Sequence, residues 1–180
     1  MVSTVIKNWD KKNWLSSKNY ILDFNKFIIK SNRLNSNSTI LDIGCGRGKI
    51  TGSLSSKLKF KHKPVGLDLV NHKDRDKRIN FKKIDAIKFL KKSSLNFDLI
   101  IIKQTIHLFK FNEIKKLLNL CKKKLNPKGK ILIFSLETAK NEIPTFSIFK
   151  EKLNKSLKRD QKIFKMITKL NSNSIIKKFS

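Results

Sequence analysis

The stretch from Ile40 to Gly48 limits what this chain can fold into more than any other. Ile40-Leu41-Asp42-Ile43 reads as a buried strand, and Gly44-Cys45-Gly46-Arg47-Gly48 then sets three glycines at alternate positions. Ile50, Leu54 and Leu58 follow at the spacing of one helix face. A strand that turns through glycines into a helix opens a βα unit. Glycine there permits positive φ and close approach of a ligand to the backbone. The helix behind it aims free amides and the positive end of its dipole at that ligand. Spacing separates the candidate ligands. A dinucleotide fingerprint GxGxxG needs a glycine where this chain has Lys49, and the Walker pattern GxxxxGK[ST] fails because Gly48-Lys49 is followed by Ile50.

Short apolar runs alternate with helical patterns over the rest of the chain, which predicts an α/β fold with a mainly parallel central sheet. The predicted strands are Thr39–Gly44, Pro64–Leu69, Ile79–Ile84, Phe97–Ile102 and Lys130–Leu136, with Ser174–Ser180 reading as the start of a sixth. Ile114, Leu117, Leu118, Cys121 and Leu125 mark the apolar stripe of a longer helix, with Asn112 as its N-cap and Asn126-Pro127-Lys128-Gly129 as its stop. Ile21, Phe24, Phe27 and Ile28 predict an amphipathic helix ahead of the sheet; Phe149, Leu153, Leu157, Phe164 and Ile167 predict one long helix or two short ones behind it. At 180 residues, with no linker or repeat, one domain is expected. Residues 1–35 would form an N-terminal helical or lid segment, 39–136 the ligand-binding core, and 137–180 a C-terminal helical segment with a partial strand.

Asp42-Ile43-Gly44-Cys45-Gly46-Arg47-Gly48 resembles motif I of the class I S-adenosylmethionine-dependent methyltransferases, an acidic residue followed by xGxGxG. Four further stretches match the family in order: Val65-Gly66-Leu67-Asp68-Leu69, Phe81-Lys82-Lys83-Ile84-Asp85-Ala86, Asn96-Phe97-Asp98-Leu99-Ile100-Ile101-Ile102, and Leu125-Asn126-Pro127-Lys128-Gly129-Lys130-Ile131. The resemblance spans Thr39 to Leu136 and implies a Rossmann-like three-layer αβα sandwich of the small-molecule type, with S-adenosyl-L-methionine as cofactor. By that resemblance Gly44, Cys45, Gly46 and Gly48 lie against the methionine part of the cofactor and Asp42 helps to hold its amino group. Asp68 would take both ribose hydroxyls, a task suited to an acceptor-only group. Asp85 would accept from the adenine amino group, and Leu69, Ala86 and Lys103 complete the cofactor-binding set. Asp68 and Asp85 each have a second reading as a helix N-cap, and Asp98 reads as structural. The family's last strand is antiparallel beside the fifth; the sequence reaches Phe179-Ser180 before one could form, so the expected sheet lacks its C-terminal strand.

Methyl transfer from a sulfonium is an in-line displacement, so the protein chiefly positions donor and acceptor. Lys103-Gln104-Thr105-Ile106-His107 follows the fourth strand and should face the crevice beyond the strand ends. His107 is the candidate general base, the alternative being packing or a helix-end hydrogen bond. The same residues differ from the Asn/Asp/Ser-Pro-Pro-aromatic turn of amino-methylating nucleic-acid enzymes and lack the Asp that resembling ribose 2′-O-methyltransferases carry there. Trp9, Trp14 and Tyr20 are read either as a lid over the site or as packing of a terminal helix.

Charge bounds the partners. Lys and Arg number 42 against 13 Asp and Glu, a formal +29, and the first implication is a polyanion. Only five of the 42 are Arg (33, 47, 75, 78 and 159), and the lysines are spread over the whole chain. Lys is a solvated point charge without the planar fork that suits phosphates, so the reading is a diffuse bias, with RNA as the alternative substrate and a non-catalytic basic binding protein as a third. Cys45 and Cys121 form no CxxC and no metal-ligand spacing. With no secretory leader pattern and no run long enough to span a bilayer, the expectation is a cytoplasmic protein acting on a small molecule, without a metal or a membrane.

Overall fold

The computed structural model describes residues 18–134 and 175–176. In chain order they form α1 (Lys18–Ser31), β1 (Ile40–Ile43), α2 (Lys49–Leu58), β2 (Val65–Asp68), β3 (Asn80–Lys83), α3 (Ala86–Lys92), β4 (Phe97–Lys103), a 3-10 turn at Ile106–Leu108, α4 (Phe111–Lys123), β5 (Leu125–Phe134) and β6 (Ile175–Ile176). Five strands make a parallel sheet in the order β3-β2-β1-β4-β5, and the two residues of β6 join the free side of β5, also parallel. The place that the resemblance gives to an antiparallel strand is therefore taken by β6.

Period-two alternation sends the apolar residues of the inner strands to both faces of the sheet. Leu41, Ile43, Ile100, Ile102, Ile131 and Ile133 point to one face, where α3 and α4 bring Phe89, Leu90, Ile114, Leu117 and Cys121. Ile40, Leu99, Ile101, Leu132 and Phe134 point to the other, against Phe24 and Ile28 of α1 and Ile50 and Leu54 of α2. Both faces are covered, so both sets are buried. Phe134 is gripped from α1 by Phe24 and Phe27, with ring centroids 4.2 and 5.4 Å away. The polar edge strand β3 exposes Asn80, Lys82 and Lys83, which discourages further pairing on that side.

Two local expectations are corrected. The N-cap of α4 is Lys110 rather than Asn112: the Glu113 carboxylate accepts from the Lys110 N–H at 2.9 Å, which a carboxylate at the third helical position does well. The fifth strand starts at Leu125 instead of Lys130, so Asn126–Gly129 lies inside it. Pairing jumps from Phe97↔Leu125 to Leu99↔Lys130, and the extra residues bulge out with Lys128 at φ 67°. Gly129 is required there because a Cβ would stand 2.8 Å from the Phe97 carbonyl. Residues 135 and 136 of the predicted strand, the predicted C-terminal helix, Trp9 and Trp14 lie outside the described residues.

The chain builds outward from β1 through β2 to β3, then crosses back to place β4 on the other side of β1. Such a reversal splays the connections at the carboxyl ends of β1 and β4 and opens a crevice there. Asp98 ties the opposite end: its carboxylate accepts from the Thr39 N–H at 2.7 Å, the Thr39 hydroxyl at 3.0 Å and Asn126 Nδ2 at 2.9 Å. Burial pushes that carboxyl up, but these hydrogen bonds outweigh it and hold it below the usual carboxylate range. The expected structural role of Asp98 is thus met.

Candidate functional site

The glycine turn sits at the mouth of the crevice. Gly44 and Cys45 N–H groups both donate to the Leu67 carbonyl, at 2.8 and 3.0 Å, which folds the turn across the end of β2. Gly44, Gly46 and Gly48 all have left-handed φ, of 72°, 53° and 68°. A side chain at Gly44 would collide with Thr105, whose hydroxyl is held by the Lys103 carbonyl at 2.7 Å. At Gly46 the position of a Cβ meets nothing within 4 Å, so this is the open side of the turn. Gly48 caps α2, and the Gly52 N–H donates to its carbonyl at 2.8 Å.

Two carboxylates flank this turn. Asp42 projects from β1 toward α2, is buried, and accepts from the Thr51 hydroxyl. Burial pushes its carboxyl up to about 6; the Thr51 hydrogen bond and the Lys103 charge oppose that, while Asp68 adds to it. A carboxylate held this far out of water invites a cationic partner. Asp68 ends β2 and accepts from the Gly46 N–H at 2.7 Å and the Val70 N–H at 2.9 Å. Each of its oxygens keeps a further acceptor position. It caps no helix: among the described residues the chain after it runs as loop to β3.

Other expected residues are placed more unevenly. Asp85 is the N-cap of α3, its Oδ1 accepting from the Lys88 N–H at 2.9 Å, so its alternative reading holds and its second oxygen remains. Ala86 turns into the core beside it, and Leu69 is half exposed at the crevice rim. The Cys45 thiol faces Arg75 at 3.6 Å, and burial with the charges of Asp42 and Asp68 pushes it far up, so it stays a thiol. Lys103 points from β4 toward α1, its Nζ lying 5.3 and 6.0 Å from the ring centres of Tyr20 and Phe24. His107 falls in the 3-10 turn beyond β4, and its side chain lies outside the described residues. Gln104 takes φ 51° and donates its N–H to the Phe134 carbonyl at 2.9 Å, fixing the exit from β4.

Sequence reasoning missed three contributors. Thr51 lies between Ile50 and Leu54 of the apolar stripe of α2, and nothing in that spacing marks it. Thr105 fills the space of the absent Gly44 side chain, a contact between turns no local pattern announces. Arg75 reads in the sequence only as one charge among many, its scarcity as an arginine being the one signal it gives.

Comparison with known proteins agrees with this fold. A family model described as a methyltransferase domain matches residues 34–178. Among solved structures, a SAM-dependent methyltransferase from Archaeoglobus fulgidus superposes with a TM-score of 0.54 at 24% identity, covering 69% of this chain and 54% of that one. A putative methyltransferase from an antibiotic biosynthesis pathway of Anabaena variabilis gives 0.54 at 19%, covering 76% and 55%. A precorrin 8w decarboxylase from Methanobacterium thermoautotrophicum gives 0.50 at 19%, covering 62% and 61%. The chain thus spans little more than half the length of these proteins. No curated protein matches it in sequence.

Proposed function

The chain belongs to the methyltransferase domain family, and from that premise we propose that it transfers a methyl group from S-adenosylmethionine to a small-molecule acceptor. One observation carries the reading: two carboxylates in different environments, Asp42 buried with its carboxyl raised to about 6 and Asp68 at the strand end, flank a glycine turn whose open side is at Gly46. Asp42 supplies the negative charge for the ammonium of the methionine moiety, and the free acceptor positions of Asp68 suit a ribose diol. The uncommitted oxygen of Asp85 suits the adenine amino group, and exposed Leu69 offers an apolar face to the ring. When bound, the cofactor supplies an electrophilic methyl on a sulfonium.

The chain's own residues then position the acceptor and exclude water. Leu108 and Phe111, 53% and 49% exposed just beyond β4, give the crevice an apolar rim that suits an acceptor with an apolar body. His107 is the base where the acceptor must lose a proton. Tyr20 on α1 leans over Lys103 and supports a covering role for the N-terminal segment. RNA is the second reading, favoured by the +29 charge and by Lys115, Lys116 and Lys123 along one side of α4; an affinity falling steeply with salt would select it.

Calorimetric titration of S-adenosylmethionine and S-adenosylhomocysteine into wild type and Asp68→Ala tests the cofactor reading. Saturable binding that the substitution weakens is the expected result. Folded wild type that binds neither would reject it and leave a charge-driven binding protein. With an acceptor in hand, full activity of His107→Gln across the pH profile would remove the base role.

A further inference from the structure

Residues 69–79, between β2 and β3, contain neither helix nor strand, yet they are fastened to the glycine turn and to α2. Charged side chains do the fastening. Arg47 Nε lies 3.0 and 2.9 Å from the two carboxylate oxygens of Asp74. Buried Asp76 accepts from Arg78 Nε and Nη2 at 2.8 and 2.6 Å, and its main-chain N–H donates to the Arg47 carbonyl at 2.9 Å. The Asp76 carboxylate occupies the space a Gly52 side chain would need, which seats the segment on α2. Arg75 reaches further in. Its Nη1 donates to the Gly46 carbonyl at 2.6 Å, its Nη2 to the Val70 carbonyl at 2.7 Å, and its guanidinium lies 3.2 Å from the centre of the Phe81 ring. Gly46 and Val70 are the two residues whose N–H groups go to Asp68. One carboxylate and one guanidinium therefore hold all four main-chain polar groups of these two residues.

Composition makes the choice of arginine informative. Of the 42 cations only five are Arg, and three of those, Arg47, Arg75 and Arg78, meet at this one contact. An ammonium cannot reach two carbonyls and lie flat on a ring together, whereas the planar fork can. In a chain whose other cations are lysine apart from Arg33 and Arg159, the guanidinium marks a place where that geometry matters.

We infer that Arg75 is a positioning residue for a ligand with a vicinal diol, acting through Gly46, Val70 and Asp68 without touching the ligand. By fixing both carbonyls it fixes both N–H groups on the Asp68 carboxylate, so that each oxygen has one acceptor position committed and one left for a hydroxyl. The inference rests on the cofactor reading above and specifies what keeps its ribose end in shape.

The test is calorimetry of S-adenosylhomocysteine and of its 2′-deoxyribosyl analogue against wild type, Arg75→Ala and Arg75→Lys, with circular dichroism melts to establish folding. Wild type should prefer the diol by about tenfold or more, as expected for a hydrogen bond to a charged acceptor. Both variants should lose about tenfold in S-adenosylhomocysteine affinity, and their preference for the diol should shrink to about twofold. A merely structural role would weaken both ligands alike and preserve the preference. Should Arg75→Ala fail to fold, Arg75→Lys carries the same comparison. A folded variant that keeps the wild-type preference overturns the inference; folded wild type that does not bind S-adenosylhomocysteine overturns the cofactor reading beneath it.

Discussion

Asp42→Asn should make the protein more stable and less able to bind its ligand. The carboxyl moves from an ordinary 3.8 to about 6 on folding, because burial disfavours its charge more than Thr51 and Lys103 favour it. The folded state then binds the proton more tightly than the unfolded one, so stability from this group is greatest below pH 4 and is lost as pH rises through 6. At about 1.4 kcal/mol per tenfold in proton affinity, the loss is about 3 kcal/mol. Asparagine keeps the shape and can accept from the Thr51 hydroxyl but carries no charge. Urea unfolding of both proteins at several values between pH 4 and 8, followed by circular dichroism, should give a stability difference near zero at pH 4 that grows to about 3 kcal/mol in favour of the variant above pH 7. Taking the difference cancels the other carboxylates, such as Asp98, whose lowered values act with the opposite sign. S-adenosylhomocysteine affinity should fall in the same variant, since the ammonium has lost its counter-charge. A pH-independent difference, or a less stable variant at pH 8, would refute the argument that Asp42 is a charge held against the interest of the fold.

Gly44→Ala should destabilise strongly, by about 3 kcal/mol or more in denaturant titration, since it combines a left-handed φ with the Thr105 collision; adding Thr105→Gly should recover part of the loss. Gly46→Ala meets no atom, so it should cost only about 1–2 kcal/mol while abolishing S-adenosylhomocysteine binding by filling the open side of the turn. Asp98→Ala should cost about 2–3 kcal/mol at neutral pH and leave ligand affinity unchanged, because its hydrogen bonds tie the end of the sheet remote from the crevice; an affinity change would show the two ends to be coupled. Asn25 on α1 is fully buried with neither side-chain polar atom paired. Asn25→Leu should raise stability by about 1–3 kcal/mol in the same titration.

What the sequence disclosed was what repeats or has a fixed spacing. β1, β2 and β4 fall within a residue or two of their predicted limits because strands covered on both faces are mostly apolar, and β3 does so because Ile79, Phe81 and Ile84 mark it despite Lys82 and Lys83. The glycine turn with Asp42 and Asp68 was legible through its spacing and the family resemblance. The start of β5 was not, because Asn126-Pro127-Lys128-Gly129 has turn composition and only its bulged pairing with Phe97 and Leu99 keeps it in the sheet. The N-cap at Lys110 was hidden because the capping group comes from Glu113, three residues on. Arg75, Thr51 and Thr105 act through contacts between segments distant in sequence, for which no periodicity exists. The role of Asp85 stayed double because a cap and a ligand contact ask for the same residue type, and the structure shows one oxygen spent on the cap.

The crossing from β3 back to β4 also has a consequence for the order of assembly. Residues 40–83 and 97–134 each contain neighbouring parallel strands that can pair by themselves, whereas the β1–β4 seam joins positions such as Thr39 and Asp98, 59 residues apart. Loop-closure entropy disfavours early contacts of long separation, so this seam is expected to close last and part first. The crevice opens at that seam and does not exist until the two halves have docked. A ligand that also touches the β4 side gains those contacts only once the halves dock, and to that extent acts as a brake on unfolding. For this chain, those contacts would then be read less in how fast it folds than in how long it stays folded.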